Sequence, residues 1–258
     1  MTGSPDRSPR RSPRPLVLPL LGLAAALVTA ACGPTSQSNT SSSSSPESTS
    51  SEGFHTEQTT YQITEATSQL QLDARAGRVT VTAADGPISV TEAFNYSDDK
   101  PATSHEVSGN TLNLKEDGCQ HVRAINGRCS VDWDIKAPAG TNLTLITNAG
   151  GIAVTGAAGP VSAKTSAGGI RGRALTSKNV TAKTNAGGVD LRFNQPPDQL
   201  QASSNAGGID IQVPAGASYA ISAKSNTGRP DVEVQQSESS THKIEAKTNA
   251  GGIDISNG

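Results

Sequence analysis

The side chains in this sequence that could do chemistry are few, and most of them recur. Acids return about once every twenty residues, at Asp190, Asp210, Asp231 and Asp254, each just after a glycine-containing turn. Carboxylates clustered in one groove could cleave a glycan, but a carboxylate placed once per repeat reads as a solvated strand face. His55, His105, His121 and His242 are scattered, and no GxSxG nucleophile motif occurs. With no nucleophile, base and orienting group in one pattern, the chain is expected not to be an enzyme. Lysines recur in the same way, at Lys164, Lys183, Lys224 and Lys247, with Ser203 interrupting the row. An outward row of ammonium groups could dock anionic wall polymer or lipid headgroups. The plainer reading is solubility and protection of strand edges.

Metal and sugar chemistry are less well supported. The phrase Gly-Gly-Ile-Asp is similar to the start of calcium-binding nonapeptide repeats, but the second Gly-x-Asp is missing. No metal and no cofactor are expected. One Trp, three Tyr and three Phe are too few for many stacking platforms.

There are three cysteines, Cys32, Cys119 and Cys129. Arg7, Arg10, Arg11 and Arg14 precede an apolar run, Leu16–Val28, that is too short to span a membrane. Small residues and Cys32 follow, and "TAAC" resembles the lipobox of bacterial lipoproteins. Residues 1–31 are therefore expected to be a signal peptide, and Cys32 a lipidated N-terminus. The alternative is an ordinary signal peptide cut near Ala31. Residues 32–53 then form a Ser-rich disordered tether with a mean reach of about 25 Å. Cys119 and Cys129 remain as an even pair in an exported chain, so a disulfide is expected. A metal pair with His121, or a redox pair, is the alternative. After residue 31 the chain carries 17 Lys and Arg against 22 Asp and Glu, a net charge of −5. That acidic balance, with no interleaved aromatics, argues against nucleic acid as a partner.

These residues are positioned by one repeated phrase, as in "VTAKTNAGGVDLRF" at 180–193. Counted from its polar turn residue, the phrase recurs at Asn148, Ser166, Asn185, Asn205, Asn226 and Asn249, with spacings of 18, 19, 20, 21 and 23 residues. A near-fixed period in this range marks a stacked repeat architecture. Before the turn, apolar residues alternate with polar ones, and after it the alternation resumes, so each copy reads strand, four-residue turn, strand. Asn and Gly suit such a turn because both accept positive φ. The expected fold is all-β, a parallel β-helix-like β-solenoid of about 18–23 residues per coil with the Asn residues stacked in a ladder. The alternative is a β-sandwich of hairpins. The small residues Ala163, Ala182, Ala202, Ala223 and Ala246 favour the solenoid, because they let two sheets close on a thin core. The repeat domain spans 54–258, with irregular N-terminal coils at 54–137 and regular repeats at 138–258. A long excursion is expected at about Tyr96–Val107, with Trp133 packed beneath it.

Three features together carry a family resemblance: "GRVTVTAADGPISVTE", the Cys pair leading into "VDWDIKAPAGTNLTLITNAGGIAVTG", and the repeats after it. From about Gln69 onward the chain resembles a bacterial candidate-adhesin β-strand-repeat family, a domain of unknown function. The resemblance implies a right-handed β-solenoid, often exported or lipid-anchored, and supplies no catalytic residue. The functional expectation is a non-enzymatic adhesion or scaffold module, held on the outer face of the cell membrane by the lipid on Cys32. The second expectation is an envelope-stress or signalling accessory lipoprotein that binds a membrane protein.

Overall fold

In the computed structural model, residues 53–121 and 128–258 are described. Their strands are, in chain order, β1 (His55–Ile63), β2 (Gln69–Ala76), β3 (Val79–Ala83), β4 (Ile88–Tyr96), β5 (Ala102–Ser108), β6 (Thr111–Gly118) and β7 (Cys129–Ala137). Six strand pairs follow. They are β8 (Asn142–Ala149) with β9 (Ile152–Thr155), β10 (Val161–Ala167) with β11 (Ile170–Leu175), and β12 (Asn179–Ala186) with β13 (Val189–Phe193). Then come β14 (Gln199–Ala206) with β15 (Ile209–Val213), β16 (Ala220–Ser225) with β17 (Pro230–Glu233), and β18 (Lys243–Ala250) with β19 (Ile253–Asn257).

The two strands of each repeat lie in different sheets, so the repeats are coils of a solenoid and not hairpins. One sheet runs β16-β18-β14-β12-β10-β8-β2-β6-β5, and the other β1-β4-β7-β3-β9-β11-β13-β15-β19-β17. From the β2–β3 coil towards the C-terminal end of the stack, every pairing between neighbouring coils is parallel, and apart from a bulge in β11 it keeps the repeat register, as in Ala163 beside Ala182 and Ala182 beside Ala202. Leu143, Val161, Val180, Leu200 and Ile244 form one inner row, and Ile152, Ile170, Val189, Ile209 and Ile253 face them. The Ala row lies between, with Ala163, Ala182, Ala202 and Ala246 at most 2% exposed, so the thin core closes on small side chains as expected.

The coil order differs from the chain order at both ends. β18–β19, last in sequence, inserts between β14–β15 and β16–β17. At the other end β2–β3 lies between β6–β7 and β8–β9. An end coil is paired on one side only. The interleaving therefore gives the C-terminal coil partners on both sides, which opposes the fraying to which chain ends are prone.

The turn is shorter than expected. Asn and Ala of each "NAGG" belong to the first strand, and only the two glycines make the corner. The Asn residues do not take the left-handed conformation; among described residues other than glycine only Ala174 has positive φ. The first glycine does the turning, with φ from 143° to 149° at Gly150, Gly168, Gly187, Gly207 and Gly251. It also lies against the neighbouring coil, and a Cβ on Gly187 would fall 2.2 Å from the carbonyl oxygen of Gly168. Just before the Asn or Ser in four of the coils, a buried hydroxyl donates to that same carbonyl in the adjacent coil. Thr165 reaches Gly150 at 2.9 Å, Thr184 Gly168 at 2.9 Å, Ser204 Gly187 at 2.9 Å and Thr248 Gly207 at 2.9 Å. Each such bond contributes roughly 1 kcal/mol net, and losing it strands a buried carbonyl lone pair.

The N-terminal end is built differently. The stretch expected as an excursion is mostly strand: Tyr96 ends β4, Val107 lies in β5, and only residues 97–101 connect them. β4 pairs antiparallel with β1 and β7, and β5 antiparallel with β6. Trp133, 1% exposed, lies beside Glu92 of β4 and Val79 of β3. Where a regular coil has its Gly-Gly corner, β6 and β7 are joined by a Cys119–Cys129 disulfide with Cα atoms 6.0 Å apart. Carboxylates satisfy the backbone donors of the neighbouring corner. Glu116 Oε2 accepts from the N–H of Arg75 at 2.8 Å and of Ala76 at 3.2 Å, and Asp132 Oδ1 from that of Arg78 at 2.6 Å. Burial pushes the Glu116 carboxyl above the ordinary range, against the pull of those two N–H groups.

Candidate functional site

Parallel, in-register stacking turns one position of the repeat into a row about 4.8 Å per step along the solenoid. Two positions before the Asn, the row on the outer face reads Ile146, Lys164, Lys183, Ser203, Lys247, Lys224. All four lysines are exposed. Their order follows the interleaved coils, so Lys247 and not Lys224 follows Ser203. Among the described residues only Lys247 of the four has an ion-pair partner, Glu245. That ammonium beside it holds the Glu245 carboxyl below the usual range, with Lys183 and Lys224 adding to the effect.

The Asn ladder runs beside the lysines, in the order Asn148, Ser166, Asn185, Asn205, Asn249, Asn226. Its side chains are exposed, and they bond to one another at the C-terminal end. Asn249 Nδ2 donates to Asn205 Oδ1 at 2.8 Å, and Asn226 Nδ2 to Asn249 Oδ1 at 3.0 Å. Where Ser203 shortens the lysine row, the surface dips. Lys164, Lys183, Ser203, Lys247, Asn185 and Asn205 frame a depression of about 240 Å³ there. A gap flanked by ammonium groups and amides is suited to anionic oxygen atoms, which the lysines attract and the amides and hydroxyl can hydrogen-bond.

The other sheet presents Arg171, Asp190, Asp210, Asp254 and Asp231 in register beside an open groove of about 830 Å³. This row is less uniform than its spacing suggests. A bulge in β11 at Ala174 lets Arg173 grip Asp190 through two bonds, of 2.6 and 2.5 Å. Arg173 holds the Asp190 carboxyl below the usual carboxylate range, while burial, with Asp190 and Asp254 adjacent, pushes Asp210 up. Among the described residues no three His, Cys, Asp or Glu side chains converge to hold a metal ion.

Of the other residues singled out, Cys32 lies outside the described residues, as do the signal segment and almost all of the tether. His121 bonds Asp99 at 2.8 Å and does not join the disulfide in a metal set. The N-terminal end also holds five of the seven aromatics. There Glu92, 3% exposed, accepts from Tyr61 Oη at 2.6 Å and Thr103 Oγ1 at 2.7 Å, and Tyr61 stacks on His105. Periodicity gave no hint of this buried carboxylate, because β4 lies outside the repeats.

No curated protein matches the chain. A candidate cell adhesion protein from Clostridium sporogenes ATCC 15579 is similar at 14% identity and a TM-score of 0.47, over 79% of this chain and 100% of its own. A candidate adhesin from Bacteroides fragilis NCTC 9343 is similar at 16% identity and a TM-score of 0.42, over 78% of this chain and 96% of its own. The model of the Toastrack DUF4097 family matches residues 79–256, well over half of the chain, from the start of β3 into β19, and the protein belongs to that family.

Proposed function

We propose that this protein is a non-enzymatic binding module on the cell surface, lipid-anchored at Cys32, whose Lys–Asn face docks an anionic polymer of the cell wall. One observation carries the reading. Four exposed lysines from four coils are brought onto a single outer face in register, and three of them have no ion-pair partner among the described residues. Like charges at this spacing repel by roughly 1 kcal/mol per pair at low salt, so the row is a cost that an anionic ligand relieves. The basic start, apolar run, small residues and Cys32 support export and anchoring.

Replacing Lys164, Lys183, Lys224 and Lys247 by Gln is expected to weaken sedimentation of the protein with purified cell wall by at least tenfold at low salt. It should also flatten the salt dependence and leave the melting temperature within a few degrees of the parent. Unchanged binding at low salt would refute the reading. Capture of a single membrane protein from solubilised membranes, with no wall polymer bound, would favour the signalling accessory instead.

A further inference from the structure

One coil breaks the pattern of the lysine row. Ser203 stands between Lys183 and Lys247, whose backbones are two strand steps, about 9.6 Å, apart. Its short side chain leaves the depression of about 240 Å³ between the two ammonium groups. Ser203 is half-buried, and its hydroxyl has no hydrogen-bond partner among the described residues. The hydroxyls next to it behave differently, because those of Thr184, Ser204 and Thr248 all donate inward to glycine carbonyls.

The bonded part of the amide ladder ends at the same place, and its direction fixes which group is left over. Asn226 donates to Asn249 and Asn249 to Asn205, so Asn205 Oδ1 is taken, while its Nδ2 has no acceptor among the described residues. Lys183 has no partner among them either. Lys247 spends one N–H on Glu245, and an ammonium group has three. Glu245 is the only carboxylate among the outward side chains of β12, β14 and β18, and that bond already meets its charge. The gap is therefore ringed by four groups that each have a hydrogen to give. Two of them, Lys183 and Lys247, lie along the stack, and the other two, Ser203 and Asn205, lie along β14.

We infer, on the reading that the Lys–Asn face is the binding surface, that the Ser203 gap seats one phosphodiester of a phosphate-linked polymer, held by Lys183, Lys247, Ser203 and Asn205. A phosphodiester has no proton to donate at neutral pH, and its oxygens surround a tetrahedral phosphorus. It can accept from donors on both lines, with charge-assisted bonds to the ammonium groups. The two oxygens of a carboxylate lie in one plane and do not meet both lines at once. The polymer on either side of the seat passes Lys164 and Lys224, one step further out in each direction, where the next phosphates are attracted.

Valine and threonine have nearly the same shape and both suit a strand, so the pair isolates the Ser203 hydroxyl without changing any lysine or the net charge. Calorimetric titration of the purified protein in detergent with a synthetic glycerol-phosphate oligomer is expected to show binding. Ser203→Thr should bind within about threefold of the parent, and Ser203→Val at least about tenfold more weakly, because a phosphate oxygen then faces a methyl group. An oligogalacturonate of equal charge should bind the parent at least about tenfold more weakly than the phosphate oligomer. A parent that does not bind the phosphate oligomer, Val and Thr variants that bind it equally, or equal affinity for the two oligomers would each overturn the seat. Purified cell wall and phosphatidylglycerol vesicles, which carry the same group, separate its source. Ser203→Val should lose wall binding by the same factor as oligomer binding. Loss on the vesicles alone would keep the seat and overturn the wall reading. Loss of wall binding on replacing the four lysines, with no effect of Ser203→Val on wall, vesicles or oligomer, would keep the wall reading and overturn the seat.

Discussion

Gly187→Ala is expected to melt at least about 10 °C below the parent, while Gly188→Ala melts within a few degrees of it. The two glycines are adjacent and similar in sequence context, but they do different work. Gly187 has φ of 143°, and a Cβ there would meet the carbonyl oxygen of Gly168 at 2.2 Å and its carbon at 2.5 Å. Both obstacles are backbone of a coil held on each side by its own ladder, so neither can step aside. The strained φ and the overpacking together cost about 3–5 kcal/mol, and for a chain of this size each kcal/mol lowers the melting temperature by about 2–4 °C. Gly188 has ordinary φ, and the nearest atom to its Cβ would be 3.4 Å away. Arg78 and Arg229 occupy the equivalent position in two other coils, so a side chain there is compatible with the corner. Thermal melts followed by circular dichroism check the pair. Equal destabilisation by both would mean that corner stacking does not limit stability.

The second large effect concerns the period. Deleting Lys183–Ala202 removes 20 residues and joins Ala182 to Ser203. The register pairs Ala182 with Ala202 and Lys183 with Ser203, so the new junction continues the alternation of inward and outward side chains. The hybrid coil can pair with β10 on one side and β18 on the other. A stack one coil shorter should still unfold cooperatively, with a melting temperature lower by several degrees, because coils contact only their neighbours. Deleting Val189–Asp198 removes 10 residues, namely β13 and the return towards β14. No coil can then close between β12 and β14, and the apolar rows beyond it lose register. That variant should show no cooperative melt. Comparable melts for the two deletions would contradict the coil as the unit of stability.

Much of this architecture was legible in the sequence, for physical reasons. Period-two alternation on both sides of a glycine corner requires two strands per repeat, and alanine at a fixed inner position requires a thin core. Those two constraints select a solenoid over a sandwich. The order of the coils was harder to see, because identical inner rows let any coil stack on any other. One signal for it was present. The copy at Asn226 replaces the second glycine with Arg229 and the next apolar residue with Pro230, which cannot donate to a ladder on both sides. A proline in that strand belongs at an edge, and the copy that carries it is the end coil although another copy follows it in sequence. The hydroxyl ladder was visible as an unbroken Thr or Ser before each Asn, but without the fold nothing said which carbonyl it meets. Glu116 and Asp132 gave no sign at all. Their role is to replace a missing corner, which becomes evident only once β6 and β7 are seen to lack one.

The order of the lysine face and of the Asn ladder depends on β18–β19 being inserted inside β16–β17. Cysteine pairs in the Asn ladder test that directly. Asn205 and Asn249 stand on adjacent strands, with their amides 2.8 Å apart, whereas Asn226 lies one strand further along. Adjacent rungs are within disulfide reach at about 5 Å between Cα atoms, and alternate rungs at about 10 Å are not. Peptide mass mapping of oxidised protein should therefore find the crosslink in the Asn205→Cys/Asn249→Cys variant and none in Asn205→Cys/Asn226→Cys. A crosslink in the second variant and none in the first would mean that the coils stack in chain order, and would contradict the structure described.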